Sequence, residues 1–393
     1  MPLMPSRQIY LPTEIVVEII TYAAADDGHR QATLHACCLV SRQWYSVAIP
    51  YLYEKPRVSA GTAFKNFTDT ICPTIGARKN KLQLGSLVHK LDLSGLVYHS
   101  SNSLTARLLG RVKENLEIFL APRISFAINS LPALSKCTNI RHLDLSLVGD
   151  PIPFPDLKRA ISKLRRLTTL RLPRSTSITT YDDTAATIEW PPNLQRLQFS
   201  GHYRSIPMSS FPWPRTMTTL TLKNCADLSM SNLGSLMSNP QLANLKRFIV
   251  SASNRNLQPE SINAIPVFLP ELASLSIPGD LVNDSFFDIL SHMHPPLPLE
   301  DLEFGFPSLD ANITFSTSSL ITAMEYGLAN LRSVGFSELF CTNQRILEDT
   351  EIDDFIHSRF SKKERRNSKS SFKNGVEKSD YTDDDDTIGV YYI

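Results

Sequence analysis

The chain has 393 residues, more than one compact core of the common size contains. Lysine and arginine together number 40, and aspartate and glutamate number 39. This balance argues against a dedicated nucleic-acid or membrane binder. Hydrophobic residues make up 42%, so most of the chain can fold. We expect a small domain followed by a larger one, or an elongated repeat array.

The six cysteines are scattered along the chain, and no two have the CxxC spacing of zinc or redox sites. We therefore predict small, buried apolar side chains in a reducing compartment. The first thirty residues lack a basic segment followed by a long apolar run, and no run of 18 apolar residues occurs. Neither a signal peptide nor a membrane span is predicted, and the expected location is the cytoplasm or the nucleus.

The first predicted element is a group of three short helices within residues 9–55. Pro12 suits a helix start because its missing N–H costs nothing there, and Glu14 favours the positive end of the helix dipole. Ile15, Ile19 and Tyr22 follow as an apolar stripe at helical spacing. Helices this short cannot bury all of their apolar surface, so the stripe predicts an interface. The alternative is that it packs against the rest of the chain.

Three sequence elements in this segment resemble the F-box family. They are Leu-Pro-x-Glu-Ile-x-x-x-Ile at 11–19, Leu-Val-Ser-Arg-x-Trp at 39–44 and Leu-Tyr at 52–53. The family motif closes on a tryptophan where this chain has Tyr53, and the segment at 23–33 is longer and more polar than usual. The resemblance implies a helical module that docks on the Skp-type adaptor of SCF ubiquitin ligases, and through it on cullin.

The resemblance also implies which side chains contact the adaptor. For each of them, packing within the helices is the alternative. Carried over by position, the adaptor-binding residues are Leu11, Pro12, Ile15, Ile19, Leu39, Val40, Trp44 and Leu52.

The second feature of the chain is a repeat. An apolar residue, two variable positions and an apolar-x-apolar pair recur nine times, from 87–93 to 331–336. From Leu143 onwards the steps between pairs are 27, 27, 23, 28, 27, 27 and 32 residues. The gap of 52 residues between Leu91 and Leu143 leaves room for one more unit at 115–119. A period in the twenties is typical of leucine-rich repeats.

Each apolar-x-apolar pair predicts a strand with one buried face, and helix-compatible stretches such as 154–164 and 284–293 lie between the strands. The predicted fold class is α/β: a small helical F-box module followed by a curved leucine-rich-repeat solenoid with a parallel sheet on its concave face. The predicted domains are the F-box-like module (9–55), a connecting segment (56–86), about nine to ten degenerate repeats (87–345), a C-terminal capping segment (346–360) and a disordered, charged tail (361–393).

Strand residues that flank the buried pair point away from the core, onto the predicted binding face. Four of them, Arg171, Arg196, Lys223 and Arg247, predict a mildly basic patch for an acidic or phosphorylated segment of a protein substrate. The alternative is an ordinary solvated face. Trp190, Tyr203 and Trp213 lie in longer connections, either as aromatic anchors or as packed lids.

No phosphate-binding glycine loop, nucleophile elbow or zinc-protease motif is present, so no catalytic residue, metal or cofactor is predicted. Two hypotheses about function are favoured. The first is a substrate-recognition adaptor of an SCF-type ubiquitin ligase, and the second is a non-catalytic binding scaffold outside ubiquitination. An enzyme with a site built from loops is a distant third.

Overall fold

The computed structural model describes residues 11–26, 28–58, 61–73, 83–96, 102–178, 187–203, 208–309, 313–343, 350–367 and 389–393. These residues form two compact units, Met1–Thr169 and Leu170–Ile393, with the boundary inside one strand. The domain limits at 55/56 and 86/87 stay predictions.

The described α-helices include three at the N-terminus and a series that alternates with strands. They are α1 (Thr13–Ala25), α2 (Arg30–Cys38), α3 (Arg42–Glu54), α4 (Gly61–Ile71), α5 (Asn102–Val112), α6 (Leu131–Leu134), α7 (Phe154–Ile161), α8 (Met230–Met237), α9 (Ile265–Phe268), α10 (Asp284–His292), α11 (Thr317–Tyr326), α12 (Glu338–Asn343) and α13 (Glu351–Asn367). Short 3-10 helices lie at Leu84–Leu87, Ile128–Ser130, Met208–Ser210, Pro240–Leu242 and Gly279–Leu281.

The described strands are short and follow one another at repeat spacing. They are β1 (Lys90–Asp92), β2 (Ile118–Leu120), β3 (His142–Asp144), β4 (Thr169–Arg171), β5 (Arg196–Gly201), β6 (Thr219–Cys225), β7 (Arg247–Val250), β8 (Ser274–Pro278), β9 (Asp301–Gly305), β10 (Ser333–Phe336) and β11 (Gly389–Tyr392).

Strand pairing is parallel in both units. In the first unit β2 lies between β1 and β3, and in the second unit β5 to β11 pair in chain order. The prediction of a helical module followed by parallel strand-and-helix repeats is confirmed. The first residue of each of the nine predicted apolar-x-apolar pairs lies on β1 or on one of β3 to β10, and the extra unit at 115–119 overlaps β2. The second residues Leu93, Leu145 and Leu172 directly follow β1, β3 and β4.

The core of each unit is a row of apolar side chains from alternate strand positions. In the second unit, Leu197 pairs with Leu220, and Phe248, Leu275 and Leu302 continue the row with exposed fractions of 1% or less. Because side chains alternate between the two faces of a strand, a residue two places away lies in the same core. The neighbouring positions form what we call the open face of the sheet.

The connecting segment contains a helix that the sequence analysis missed. Within α4, Phe64, Phe67 and Ile71 are buried, and Phe67 stacks on Tyr53 of α3 with ring centroids 6.2 Å apart. The spacing of these three residues was the available signal, since i, i+3 and i+7 lie on one face of a helix. The helical module also contacts the first repeat, because His89, which directly precedes β1, donates its N–H to the Glu54 carbonyl (2.9 Å).

Two of the three aromatic residues in the long connections are packed inside the second unit. Tyr203 and Trp213 are only 1% and 2% exposed, and half-buried Trp190 donates its indole N–H to the Pro212 carbonyl (2.6 Å). The alternative of packed lids is therefore confirmed for Tyr203 and Trp213. Neither ring is available as an anchor for a partner.

The tail prediction is wrong at its end. Residues 389–392 form β11, which pairs with β10 over four residues, and α13 continues to Asn367. The segment that forms β11 is apolar and aromatic, unlike the charged residues before it, and its backbone pairs with an existing edge strand. The rest of the predicted tail, 368–388, lies outside the described residues. None of the described helices is both long and apolar enough to cross a membrane.

One buried charge in α7 makes stability depend on pH. Lys158 is 1% exposed, and burial lowers the pKa of its ammonium group from 10.5 to about 8. Between these two pH values the unfolded chain holds a proton at Lys158 that the folded chain has lost. The free energy of unfolding therefore rises with pH across this window, by up to about 3 kcal/mol from this group alone.

We expect Lys158→Met to remove that rise. Urea unfolding near pH 8 and near pH 10.5 measures it, with Lys136→Met as the control because Lys136 is exposed in the same unit. The difference between the wild-type and Lys158→Met proteins should shrink as the pH rises. A difference that stays constant over the window would contradict the prediction.

Candidate functional site

The candidate site is an apolar surface on the N-terminal helices. In α1 the residues that pack inward are Val16 and Ile20, both 0% exposed. The stripe one position earlier, Ile15 and Ile19, stays 42% and 41% exposed, and Tyr22 is 85% exposed. The two stripes diverge because a helix can turn only one side towards its neighbours. The stripe predicted from sequence is the one left uncovered.

A second exposed apolar pair lies in the turn before α3. Leu39 is 74% exposed and Val40 is 62% exposed. The turn is fixed because Ser41 caps α3, its hydroxyl oxygen accepting the Trp44 N–H (3.3 Å). A capped helix start of this kind holds the preceding residues in a defined position. The pair is therefore presented to solvent by an ordered turn.

Hydrogen bonds place the turn beside the start of α1. The Gln43 amide donates to the Leu11 carbonyl (2.9 Å) and to the Thr13 hydroxyl (3.1 Å). At the other end of the helices, the Thr21 and Tyr51 hydroxyls are 3.1 Å apart. The two helices thus run side by side in the same direction, and the turn with Leu39 lies at the end where α1 begins.

The structure brings most of the predicted adaptor-binding residues to this surface. Pro12 is exposed, and Leu11 and Trp44 are half-buried. Leu52 is 8% exposed and belongs to the core of the module, so it does not contribute to the surface. We define the helical surface as the set of exposed or half-buried predicted residues: Leu11, Pro12, Ile15, Ile19, Leu39, Val40 and Trp44.

One residue that the sequence analysis missed holds the module together. Arg30, at the start of α2, is 6% exposed. Its guanidinium donates to the carbonyl oxygens of Ala24 (3.0 Å), Tyr51 (2.7 Å) and Lys55 (3.4 Å) and to the Glu54 carboxylate (3.0 Å). These acceptors belong to α1, to α3 and to Lys55, which directly follows α3. The first residue of α2 is therefore a structural hub, for which the sequence offered no signal beyond a lone arginine.

The predicted basic patch lies on the open face of the second unit. Arg171, Arg196, Lys223 and Arg247 are all exposed. Arg196 and Arg247 share one register position on either side of Thr219, which separates them by two strand spacings, about 10 Å. The open face changes sign further along, where β9 carries Asp301 and Glu303. No group of three histidine, cysteine or acidic residues among the described residues could hold a metal ion.

Comparison with known proteins supports the helical module first. A family model described as F-box-like matches residues 9–59. The F-box protein YDR306C of Saccharomyces cerevisiae is 33% identical over 244 residues, which cover 62% of this chain and 48% of that protein. Protein pof5 of Schizosaccharomyces pombe is 25% identical over 329 residues, 83% of this chain and 90% of that protein. The chain thus matches about half the length of the first relative and most of the second.

Two solved structures resemble this chain less closely than these two relatives do. The structure of the yeast Rad7 and Elc1 complex aligns with a TM-score of 0.41 and 14% identity, over 83% of this chain and 76% of that chain. The leucine-rich-repeat ectodomain of the Arabidopsis receptor kinase HAESA aligns with a TM-score of 0.32 and 15% identity, over 63% of this chain and 42% of that chain.

Proposed function

We propose, from the F-box-like domain at residues 9–59, that this protein is the substrate-recognition adaptor of an SCF-type ubiquitin ligase. The helical surface docks on a Skp-type adaptor and through it on cullin, and the repeats bind a protein substrate. The single observation that carries the proposal is the exposure of Ile15, Ile19, Leu39 and Val40 on an ordered helical module. Several exposed apolar side chains on one small module mark a protein interface.

The mechanism of such an adaptor is proximity. Other subunits make and break the bonds, and this chain brings a lysine of the substrate close to the charged conjugating enzyme. Holding both on one assembly replaces a bimolecular encounter by an effectively intramolecular one, which raises the effective concentration of the acceptor. The chain needs two binding surfaces for this role and no catalytic group of its own.

The docking proposal predicts that charge on the helical surface abolishes adaptor binding. The double variant Leu39→Asp/Val40→Asp places two carboxylates in the turn before α3, where they remain solvated in the free chain. Burying them against an apolar partner surface is costly, so we expect affinity for a purified Skp-type adaptor to fall by about 100-fold or more. Isothermal titration calorimetry measures the change.

Met230→Asp is the matched control, since Met230 is 61% exposed in the second unit and should leave adaptor binding unchanged. Undiminished binding by the folded double variant would rule out docking through this surface. A pulldown then separates the two hypotheses from the sequence: recovery of cullin together with the adaptor supports the ligase subunit, and recovery of the adaptor alone supports the scaffold.

Substrate binding by the basic patch is the second part of the proposal. The triple variant Arg171→Glu/Arg196→Glu/Arg247→Glu reverses three charges on the open face. Proximity labelling with ligase activity blocked should then lose the substrate but keep the adaptor, because acidic or phosphorylated segments pair with arginine. Retention of every labelled protein by the triple variant would exclude the patch.

A further inference from the structure

The last described strand of the chain occupies the open edge of the sheet. β11 is separated from α13 by residues 368–388 and pairs in parallel with β10. Gly389 donates its N–H to the Arg332 carbonyl (3.0 Å), Ile393 donates to Phe336 (2.9 Å), and Glu338 donates to Ile393 (2.9 Å). The segment is therefore joined to β10 by backbone hydrogen bonds.

A shaped seat receives one side chain of this strand. Tyr391 lies opposite Gly335, and a Cβ added at Gly335 would stand 2.6 Å from Tyr391 Cζ. Only glycine leaves room for the ring to lie across β10. The Tyr391 hydroxyl then reaches the Glu303 carboxylate on β9 (3.3 Å), whose other oxygen accepts the Ser276 hydroxyl (2.6 Å). We call the space over Gly335, bounded by Glu303, the tyrosine seat.

The seat selects a neutral phenol. Glu303 can accept a hydrogen bond from a hydroxyl, and Asp301 lies on the same strand face, so a second anion would meet two carboxylates. Burial and the neighbouring Glu303 and Asp301 raise the pKa of the Tyr391 phenol, and the charge of Arg247 opposes them in part. A phosphorylated tyrosine carries about two negative charges at neutral pH, and at this position it would meet the carboxylates of Glu303 and Asp301 as well as the cation of Arg247. Because Glu303 lies against the ring hydroxyl itself, we expect net repulsion.

The side chains of β11 are less buried than those of β9, although the Asp353 carboxylate of α13 also accepts the Val390 N–H (3.0 Å). The side chains of Val390 and Tyr391 are half-buried, and Tyr392 and Ile393 are 41% and 37% exposed. In β9 the inward residues Leu302 and Phe304 are fully buried. Segments with few buried apolar contacts open at lower free energy than the core. We therefore expect β11 to open at a lower free energy than β9.

We propose that the tyrosine seat and the edge of β10 form a docking site for an extended, tyrosine-bearing segment of a partner protein, which residues 389–393 fill from within the chain. The partner adds as a parallel strand, its backbone pairing with β10 and its unmodified tyrosine taking the place of Tyr391. The chain's own segment shows the chemistry that fits: glycine, an apolar residue, then tyrosine. This site involves no adaptor, so its test is independent of the docking proposal.

The test vacates the seat in the full-length chain. Tyr391→Asp places a carboxylate beside Glu303 and should expel the internal strand. A fluorescent peptide with the sequence of residues 387–393 should then bind Tyr391→Asp at least tenfold more tightly than the wild type, where the internal segment competes at high effective concentration. The same peptide with phosphotyrosine at the position of Tyr391 should bind at least tenfold more weakly.

The double variant Tyr391→Asp/Gly335→Ala is the matched control, because the added Cβ fills the seat and should reduce peptide binding by at least tenfold. Equal binding to the single and double variants, or none to either, would overturn the proposal. Hydrogen exchange tests whether β11 opens without the rest of the sheet. In Tyr391→Asp, residues 389–393 should lose protection while β8 and β9 keep it. Joint loss of protection would show that β11 is an integral part of the core, and the proposal would fail.

Discussion

Replacement of Arg30 by methionine is expected to lower the free energy of unfolding of the helical module by about 3–5 kcal/mol. Methionine fills much of the space but leaves three backbone carbonyls and the Glu54 carboxylate without the donor they have in the wild type. Because these acceptors belong to different elements, the loss also loosens the packing of α1 against α3.

Thermal unfolding followed by circular dichroism, and hydrogen exchange of α1 to α3, measure this effect. The control is Arg42→Met, which removes an exposed arginine from the first turn of α3. We expect the control to change stability by less than about 0.5 kcal/mol, as is usual for surface positions. An Arg30→Met protein as stable as the control would show that the guanidinium is not a structural hub. Adaptor binding should fall with stability, since the helical surface depends on the same packing.

Removal of the Trp213 side chain is expected to destabilise the second unit by about 3–5 kcal/mol. Its ring lies 5.2 Å from that of Phe199 and 4.8 Å from that of Phe211, both in edge-to-face geometry, and it is 2% exposed. Trp213→Ala would leave a cavity among aromatic neighbours that are held by the strands around them. The relaxed structure cannot fill a space of that size, which is why the cost exceeds the transfer energy of the ring.

The conservative variant Trp213→Phe separates packing from hydrogen bonding. The Trp213 indole N–H has no hydrogen-bond partner among the described residues, so phenylalanine loses part of the ring without breaking a bond. We expect Trp213→Phe to cost roughly half as much as Trp213→Ala or less. Urea unfolding monitored by far-ultraviolet circular dichroism gives both values. Equal costs for the two variants would mean that cavity size does not decide the stability of this cluster.

The repeat was predictable because it depends on local alternation. An apolar-x-apolar pair such as Leu143 and Leu145 buries two side chains on one side of a strand, and this requirement holds whichever strand lies next to it. The interval of 23 to 32 residues left only enough chain for one strand and one return connection. Strand positions and their inward residues therefore followed from spacing alone.

The helical module was predictable in outline for a similar reason. Pro12, Glu14 and Ser41 act on their own helix termini, so they mark where α1 and α3 begin without reference to the rest of the fold. The sequence did not determine which apolar stripe of α1 is exposed and which is buried. Ile15 and Val16 are both apolar β-branched residues, and only the position of α3 decides which of the two is covered.

By itself, then, the sequence determined the order of elements, the strand positions and the F-box-like character of the first helices, because each is encoded in spacing along a few neighbouring residues. Tertiary structure alone decided the four contacts of Arg30, the burial of Leu52, the lid role of Trp213 and the pairing of β11 with β10. These depend on groups that are distant in the chain, such as Gly335 and Tyr391, and meet only after the strands have stacked. No local pattern specifies such a meeting, since the free energy that stabilises it comes from contacts formed across the fold.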